Sequence, residues 1–309
     1  MRNLLIVGVG RSGTSLLQSM LAAHSGIVMM PETSFIRRYL IRDLWSGKLD
    51  GNLEKLNDDA YLKRWEKDGA LPDLDSASLS EGSLIQVYRA AVRNYSERNG
   101  EGCVAYVGDK DPKMIEVLPH LNNIISDYKI VHIIRDPRDV LLSKNKAAWS
   151  KGQSLFKKLV ANAAQLRIAH AFKRANGNII EVKYEGLLTS PDKVLSDICQ
   201  FLEIEYDPDM LSFQEKAKEL VSSDEMSWKK ETMGPLLKTN FSKWREEMTA
   251  EQCDLIEKCC ALAMKKGKYE YNTETLAWYV HLKNRIYAGI VNCMAVIYVF
   301  RASKLSRAR

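Results

Sequence analysis

The segment Leu4 to Leu17, LLIVGVGRSGTSLL, restricts the possible folds more than any other part of the chain. Leu4, Leu5, Ile6 and Val7 form a continuous apolar run, which suits a strand buried on both faces. Gly8, Gly10 and Gly13 allow a tight turn and a close approach of backbone to a ligand. Ser12, Thr14 and Ser15 then lead into an apolar-periodic run through Leu16, Leu17, Met20 and Leu21, which reads as a helix. Strand, glycine-rich turn and helix start together aim free backbone N–H groups at a phosphate. Arg11 adds a positive charge inside the turn. Three glycines, three hydroxyls and an arginine between Gly8 and Ser15 exceed what a plain connection needs.

The loop alone leaves several phosphate ligands open. GVGRSG fits G-x-G-x-x-G after a strand, and Glu32 lies nineteen residues past Gly13, near where a dinucleotide fold places an acid for the ribose. The nucleoside triphosphatase loop is incomplete, because no lysine precedes the hydroxyl pair. A second signal is IIRDPRDVLLS, Ile133 to Ser143. Arg135 follows a buried strand, and Ser143 sits eight residues later, about two helical turns on and on roughly the same face. A guanidinium and a hydroxyl so placed can grip a phosphate monoester. The plainer reading is a surface ion pair of Arg135 or Arg138 with Asp136 or Asp139, and Arg138 and Asp139 are assigned to structure.

Two further segments carry chemistry-bearing side chains. GDKDP, Gly108 to Pro112, places Lys110 just past a strand at 103–107, where an isolated lysine reads as solvated. PETS places Glu32 near the end of a second strand at 27–30, where the plain reading is an exposed carboxylate capping the helix at Thr33–Ser34. His24, late on the first helix, is read as packing.

Composition sets outer bounds. The 309 residues suffice for one large domain or two small ones, and a net charge of +6 suits an anionic ligand. No dense basic run is interleaved with aromatics, so nucleic acid is not an expected partner. The six cysteines form no C-x-x-C pair, and no histidine stands at metal-ligand spacing. Buried thiols in a reducing, cytoplasmic compartment are expected, with no signal peptide because the first strand begins almost at Met1.

Helices are expected at 35–44, 84–95, 140–149, 154–175, 191–202 and 250–266, and further strands at 129–134 and 178–182. Residues 46–83 are polar and read as an insertion or acceptor-facing lid, and 203–248 as irregular with short helices. Strands alternating with helices imply an α/β fold with a parallel sheet covered on both faces. Ligands on such sheets sit beyond the strands' carboxyl ends, where these motifs all begin.

RSGTS, the following LL, AHS and PET resemble the 5′-phosphosulfate loop region of sulfotransferases that use 3′-phosphoadenosine-5′-phosphosulfate (PAPS), especially the tyrosylprotein and polysaccharide branch. The resemblance runs over about residues 3–270 and is thin between 45 and 100. It implies a P-loop-like three-layer fold with a central, mostly parallel sheet. It implies that Arg11, Ser12, Gly13, Thr14 and Ser15 hold the 5′-phosphate, and that Arg135 and Ser143 hold the 3′-phosphate. Lys110 would face the leaving phosphate, with Arg11 beside it, and Glu32 would be the catalytic carboxylate. KYEGLL resembles the segment whose tyrosine contacts the nucleotide, here Tyr184, though a core tyrosine fits equally. NFSKWREEM resembles the late segment folding over the cofactor, with Lys243 and Arg245 near the phosphates and Trp244 beneath. The glycine that many relatives carry before the basic–Trp pair is missing. The implied reaction is sulfuryl transfer from PAPS, without metal, to a hydroxyl, expected on a carbohydrate or glycolipid. An ATP-dependent phosphotransferase and a non-catalytic nucleotide-binding module are the alternatives.

Residues 1–275 are thus expected to form a sulfotransferase domain, followed by a C-terminal apolar helix and basic tail, 276–309. Ile286 to Phe300 is nearly all apolar, but its fifteen residues fall short of the ~20 that span a bilayer. Lys283 and Arg285 flank it on one side, and Arg301, Lys304, Arg307 and Arg309 on the other. A helix lying in a membrane interface and a helix packed on the body or a second subunit both fit this pattern.

Overall fold

The computed structural model describes residues 1–32, 34–40, 63, 84–100, 103–147, 150, 152–220 and 234–304. Five strands form one parallel sheet: β1 (Arg2–Gly8), β2 (Ile27–Met29), β3 (Tyr106–Lys110), β4 (Tyr128–Ile134) and β5 (Ile179–Lys183), in the order β2-β3-β1-β4-β5. The helices are α1 (Thr14–Ala22), α2 (Leu84–Asn99), α3 (Pro137–Lys146), α4 (Leu155–Ala175), α5 (Tyr184–Thr189), α6 (Pro191–Leu202), α7 (Gln214–Leu220), α8 (Trp244–Glu247), α9 (Ala250–Cys259), α10 (Ala261–Gly267) and α11 (Trp278–Lys304).

Alternation along β1 sorts the core into two layers. Leu4 and Ile6 face Leu17, Met20 and Leu21 of α1, Leu187 of α5 and Ile198 of α6. Leu5 and Val7 face Val87 and Ala91 of α2, Ile115 and Leu118, and Ile168 and Phe172 of α4. Leu4 through Val7 are fully buried, as a central strand of a doubly covered parallel sheet requires.

Several boundaries differ from the sequence expectation. The third strand is not 103–107 but Tyr106–Lys110, because pairing with β1 continues to Ile6↔Lys110 and draws Gly108, Asp109 and Lys110 into the sheet. Gly108 leaves room for Met29 of β2, whose sulfur would lie 2.0 Å from an added Cβ. Pro112–Asn123 forms a 3₁₀ helix that periodicity did not reveal, entered through Pro112 and containing Pro119. The helix expected at 140–149 begins at Pro137, capped by the Asp136 carboxylate on the Arg138 N–H, and ends at Lys146. The segment 250–266 is two helices broken at Cys260. Ile36–Leu40 is a short π-helical turn rather than the start of a described α-helix, and residues 41–44 lie outside the described residues, as does 46–83 apart from Lys63. Of the cysteines, four are buried, but Cys103 and Cys293 are exposed.

Arg138 joins the end of β4 to the C-terminal helices. Its guanidinium is 1% exposed, donates to both Asp136 carboxylate oxygens at 3.0 and 2.7 Å, to Glu257 at 2.6 Å and to the Glu270 carbonyl at 2.8 Å, and lies 3.5 Å from the Trp244 ring centroid. Removing one member of such a group leaves buried charge without a partner. Arg138→Ala is expected to lower unfolding stability by about 3–5 kcal/mol, read from the midpoint of urea denaturation followed by circular dichroism.

Candidate active site

Every strand delivers one element of the site at its carboxyl end. β1 runs into the loop Val9–Gly13, and β2 is followed by Glu32. β3 ends on Lys110, β4 on the residue before Arg135, and β5 on the residue before Tyr184.

The loop turns back on itself through a Ser12 N–H donation to the Val9 carbonyl at 3.0 Å. Two residues have positive φ, Arg11 at 76° and Gly13 at 101°. A Cβ on Gly13 would lie 2.3 Å from the Tyr184 ring, and one on Gly8 would lie 2.6 Å from the Ser12 hydroxyl, so both glycines are required by close approach. Gly13 is the N-cap of α1 and has no side chain to bond the first-turn N–H groups, which leaves them for an external acceptor. Thr14 and Ser15 open that turn.

Arg135 ties the loop to two later segments. It donates to the Arg11 carbonyl and to the Asn240 carbonyl, both at 3.2 Å, and its guanidinium carbon lies 4.2 Å from the Tyr184 ring centroid. Asn240 in turn donates to the Tyr184 hydroxyl at 3.2 Å. Ser143 accepts from Arg11 Nε at 2.9 Å. Arg135 and Ser143 therefore meet through Arg11, with Arg135 in the connection ahead of α3 and not on its helical face. Glu185 steadies this turn, accepting from the Asp136 N–H and the Tyr269 hydroxyl, each at 3.0 Å.

An anion fits this cradle by its open valences. Arg135 Nε and Ser12 Oγ are buried and have no hydrogen-bond partner among the described residues. A buried donor without an acceptor costs about 1–3 kcal/mol, which an anionic oxygen would recover.

Beside the cradle, Lys110 is 1% exposed and ion-paired with Glu32, which is partly open to solvent. Lys110 is thus a buried strand residue and not a solvated loop lysine. Arg37 pairs with Asp111 at 2.8 Å, and Asp111 also caps the Lys113 N–H. His24 accepts from the Gly26 N–H and contacts the Glu205 carbonyl, a packing arrangement away from these groups.

The late segment lies against the end of β4 and α3. Lys243 is exposed, three residues past Asn240, whose carbonyl accepts from Arg135. Arg245 pairs with Glu270 and stacks 4.6 Å from Trp244. Asp139 anchors the segment by accepting from the Ser242 and Trp244 N–H groups, at 2.6 and 3.0 Å. The residue the site gains here is Asn240. Its backbone carbonyl accepts from Arg135, and a carbonyl leaves no trace in residue type.

Residues 3–208 match the family model described as "Sulfotransferase family". The chain belongs to the sulfotransferase family. Protein-tyrosine sulfotransferase 1 of Danio rerio is 26% identical over 216 residues, covering 68% of this chain and 55% of that one, so the chain spans little more than half of that relative. Among solved structures, a sulfotransferase domain from the curacin biosynthetic pathway superimposes with a TM-score of 0.63 at 16% identity, over 88% of this chain and 98% of that one. A sulfotransferase domain from the Synechococcus PCC 7002 olefin synthase gives 0.51 at 20% identity, over 94% and 93%. These two share the fold of the sulfotransferase seen here.

Asp109, next to Lys110 on the opposite sheet face, is fully buried, and both carboxylate oxygens have no hydrogen-bond partner among the described residues. Burial first, then the charges of Asp111 and Glu32, push its pKa up to about 7. Between the usual aspartate value of 3.8 and about 7, the folded chain holds a proton that the unfolded chain has released. Stability therefore falls as pH rises through that window and levels off above it. Asp109→Asn is expected to remove this slope and raise the melting temperature at pH 8 by about 2 °C or more, while matching the parent near pH 4. Calorimetric melts across that range check it.

Proposed function

We propose that the chain transfers a sulfuryl group from PAPS to an acceptor hydroxyl. The observation that carries this reading is the convergence of Arg135, Ser143 and Tyr184 on the Arg11 loop, beside the buried Lys110–Glu32 pair. One nucleotide end is taken by the loop N–H groups with Ser12, Thr14 and Ser15. The other, a 3′-phosphate, is taken by Arg135 and Ser143. Bound there, PAPS would supply the sulfuryl group and a phosphate leaving group. Arg11 and Lys110 stabilise negative charge developing at the bridging and sulfuryl oxygens, a preorganised electrostatic effect. Glu32 accepts the acceptor's hydroxyl proton, and its contact with Lys110 holds the carboxylate in place.

We keep residues 1–275 as the catalytic unit. For the acceptor, a carboxylate base with a polar 46–83 segment supports a carbohydrate or glycolipid hydroxyl. The printed names of curated relatives, protein-tyrosine sulfotransferases, support a second reading, a tyrosine hydroxyl of a protein. The predominance of buried thiols supports a reducing, cytoplasmic setting.

Calorimetry with 3′-phosphoadenosine-5′-phosphate, ADP and NAD tests the donor. Preferential binding of the 3′-phosphorylated nucleotide is expected, and Arg135→Ala is expected to reduce that preference by about 10- to 100-fold. Equal or better binding of ADP or NAD overturns the reading in favour of a kinase or a dehydrogenase. Lys110→Ala is expected to cut turnover by about 100- to 1000-fold, measured by transfer of labelled sulfate to oligosaccharide, glycolipid and tyrosine-peptide acceptors, with nucleotide binding retained. Unchanged turnover would remove Lys110 from the mechanism.

A further inference from the structure

Among the described residues, Trp278–Ser303 of α11 is long and apolar enough to cross a membrane. Its packing shows a different geometry. Asn284, Ala288, Val291 and Ala295, spaced four, three and four apart, are 0–5% exposed and form one buried face. Ala288 and Val291 join the cluster of Leu159, Ile256 and Cys260, and Ala295 meets Ala163 and Ala164 of α4. The same side is held by polar contacts. Asn284 donates to the Glu251 carbonyl at 3.1 Å and to Asp254 at 2.8 Å, Arg167 donates to Asn292 at 2.5 Å, and His120 meets the Ala302 carbonyl at 2.6 Å. A helix crossing a bilayer in this chain would have to give up those contacts and bury the freed polar groups in hydrocarbon.

The opposite face is apolar as well. At about 100° per residue, Leu282, Ile286, Ile290, Ile297 and Phe300 fall on the side facing away from the buried row. They are 44–58% exposed, and Trp278 at the helix start is 75% exposed. No charged residue occurs from Ile286 to Phe300, a length of about 22 Å along the helix. A helix apolar on all sides belongs in a core or in lipid, and only one side of α11 is in the core.

Charge selects the occupant. The apolar face is bracketed by Arg285 at one end and Arg301 at the other, both exposed and both without an ion pair among the described residues. Lys283 beside Arg285 is already paired with Glu251, while Lys304, Arg307 and Arg309 follow Arg301 in the sequence. A second copy packed antiparallel would set Arg285 against the partner's cationic end, and a parallel copy would set like against like. An anionic lipid surface complements both ends at once, and an aromatic residue at the helix start suits the headgroup level.

We propose that α11 is an in-plane membrane-docking helix, seating the enzyme on anionic lipid with its buried face still packed on α4 and α9. Docking rests on the exposed face and is independent of the sulfuryl-transfer reading.

Flotation of the full chain with phosphatidylcholine vesicles, with and without an equal part of phosphatidylglycerol, tests this. The chain is expected to float with the anionic vesicles, weakly with neutral ones, and to be released by alkaline carbonate. Ile290→Glu/Ile297→Glu is expected to weaken flotation about tenfold or more with an unchanged circular dichroism spectrum. Arg285→Glu/Arg301→Glu keeps the apolar face and is expected to abolish the preference for anionic vesicles. Flotation that survives alkaline carbonate overturns the proposal in favour of a spanning helix. A chain that fails to float overturns it too. If light scattering then shows a dimer that Ile290→Glu/Ile297→Glu splits, a second copy covers the face.

Discussion

The pairing of β1 with β3 on one side and β4 on the other is the constraint on which the rest of this structure depends. The register sets Ile6 beside Lys110 and Gly8 beside Ile133, so three chain segments leave the sheet side by side. Parallel strands require their connections to return across the sheet faces, and here those connections bring α1 and α2 to opposite layers. The phosphate-type loop, the buried lysine and Arg135 then need no further device to meet. Their convergence follows from strand order.

Two arginines three residues apart show how environment assigns a task. Arg138 reaches Asp136, Glu257 and the Glu270 carbonyl and is locked between α3, α8 and α9. Arg135 has only carbonyl acceptors and a tyrosine face, and its Nε has no partner among the described residues. One guanidinium is saturated by carboxylates and serves the scaffold. The other makes no ion pair among the described residues, although Asp139 lies near enough to interact with its charge. The Arg11 backbone at positive φ belongs to the same economy, since a strained loop persists only where neighbours such as Ser143 and Arg135 hold it.

Much of this was legible in the sequence because it is local. The LLIV run, the glycine spacing and the Arg135 turn each state their geometry within a dozen residues. The third strand was misplaced because its last three residues are Gly, Asp and Lys, which read as a turn. They belong to a strand only because β1 extends alongside them. The 3₁₀ helix at Pro112–Asn123 carries Pro119, which hides a helical pattern. Cys260 breaks 250–266 without a glycine or proline to announce it. Asn240 meets Arg135 through its carbonyl, and the 240s segment is anchored by Asp139, far away in sequence. Contacts made by backbone atoms across a hundred residues have no residue-type signature.

The end of β3 concentrates charge in a way that a purely structural strand would avoid. Asp109, Lys110 and Asp111 are consecutive, all about 1% exposed, with Glu32 and Arg37 brought against them from after β2. Lys110 and Asp111 are paired; Asp109 has no hydrogen-bond partner among the described residues, and its proton affinity rises through burial and the acids around it. An apolar residue at 109 would suit the surrounding cluster of Tyr88, Val107 and Leu5 better. Asp109 stands beside the buried Lys110, which pairs with Glu32. Perturbed proton affinity next to convergent charges is a pattern that functional sites share with structural ion-pair networks.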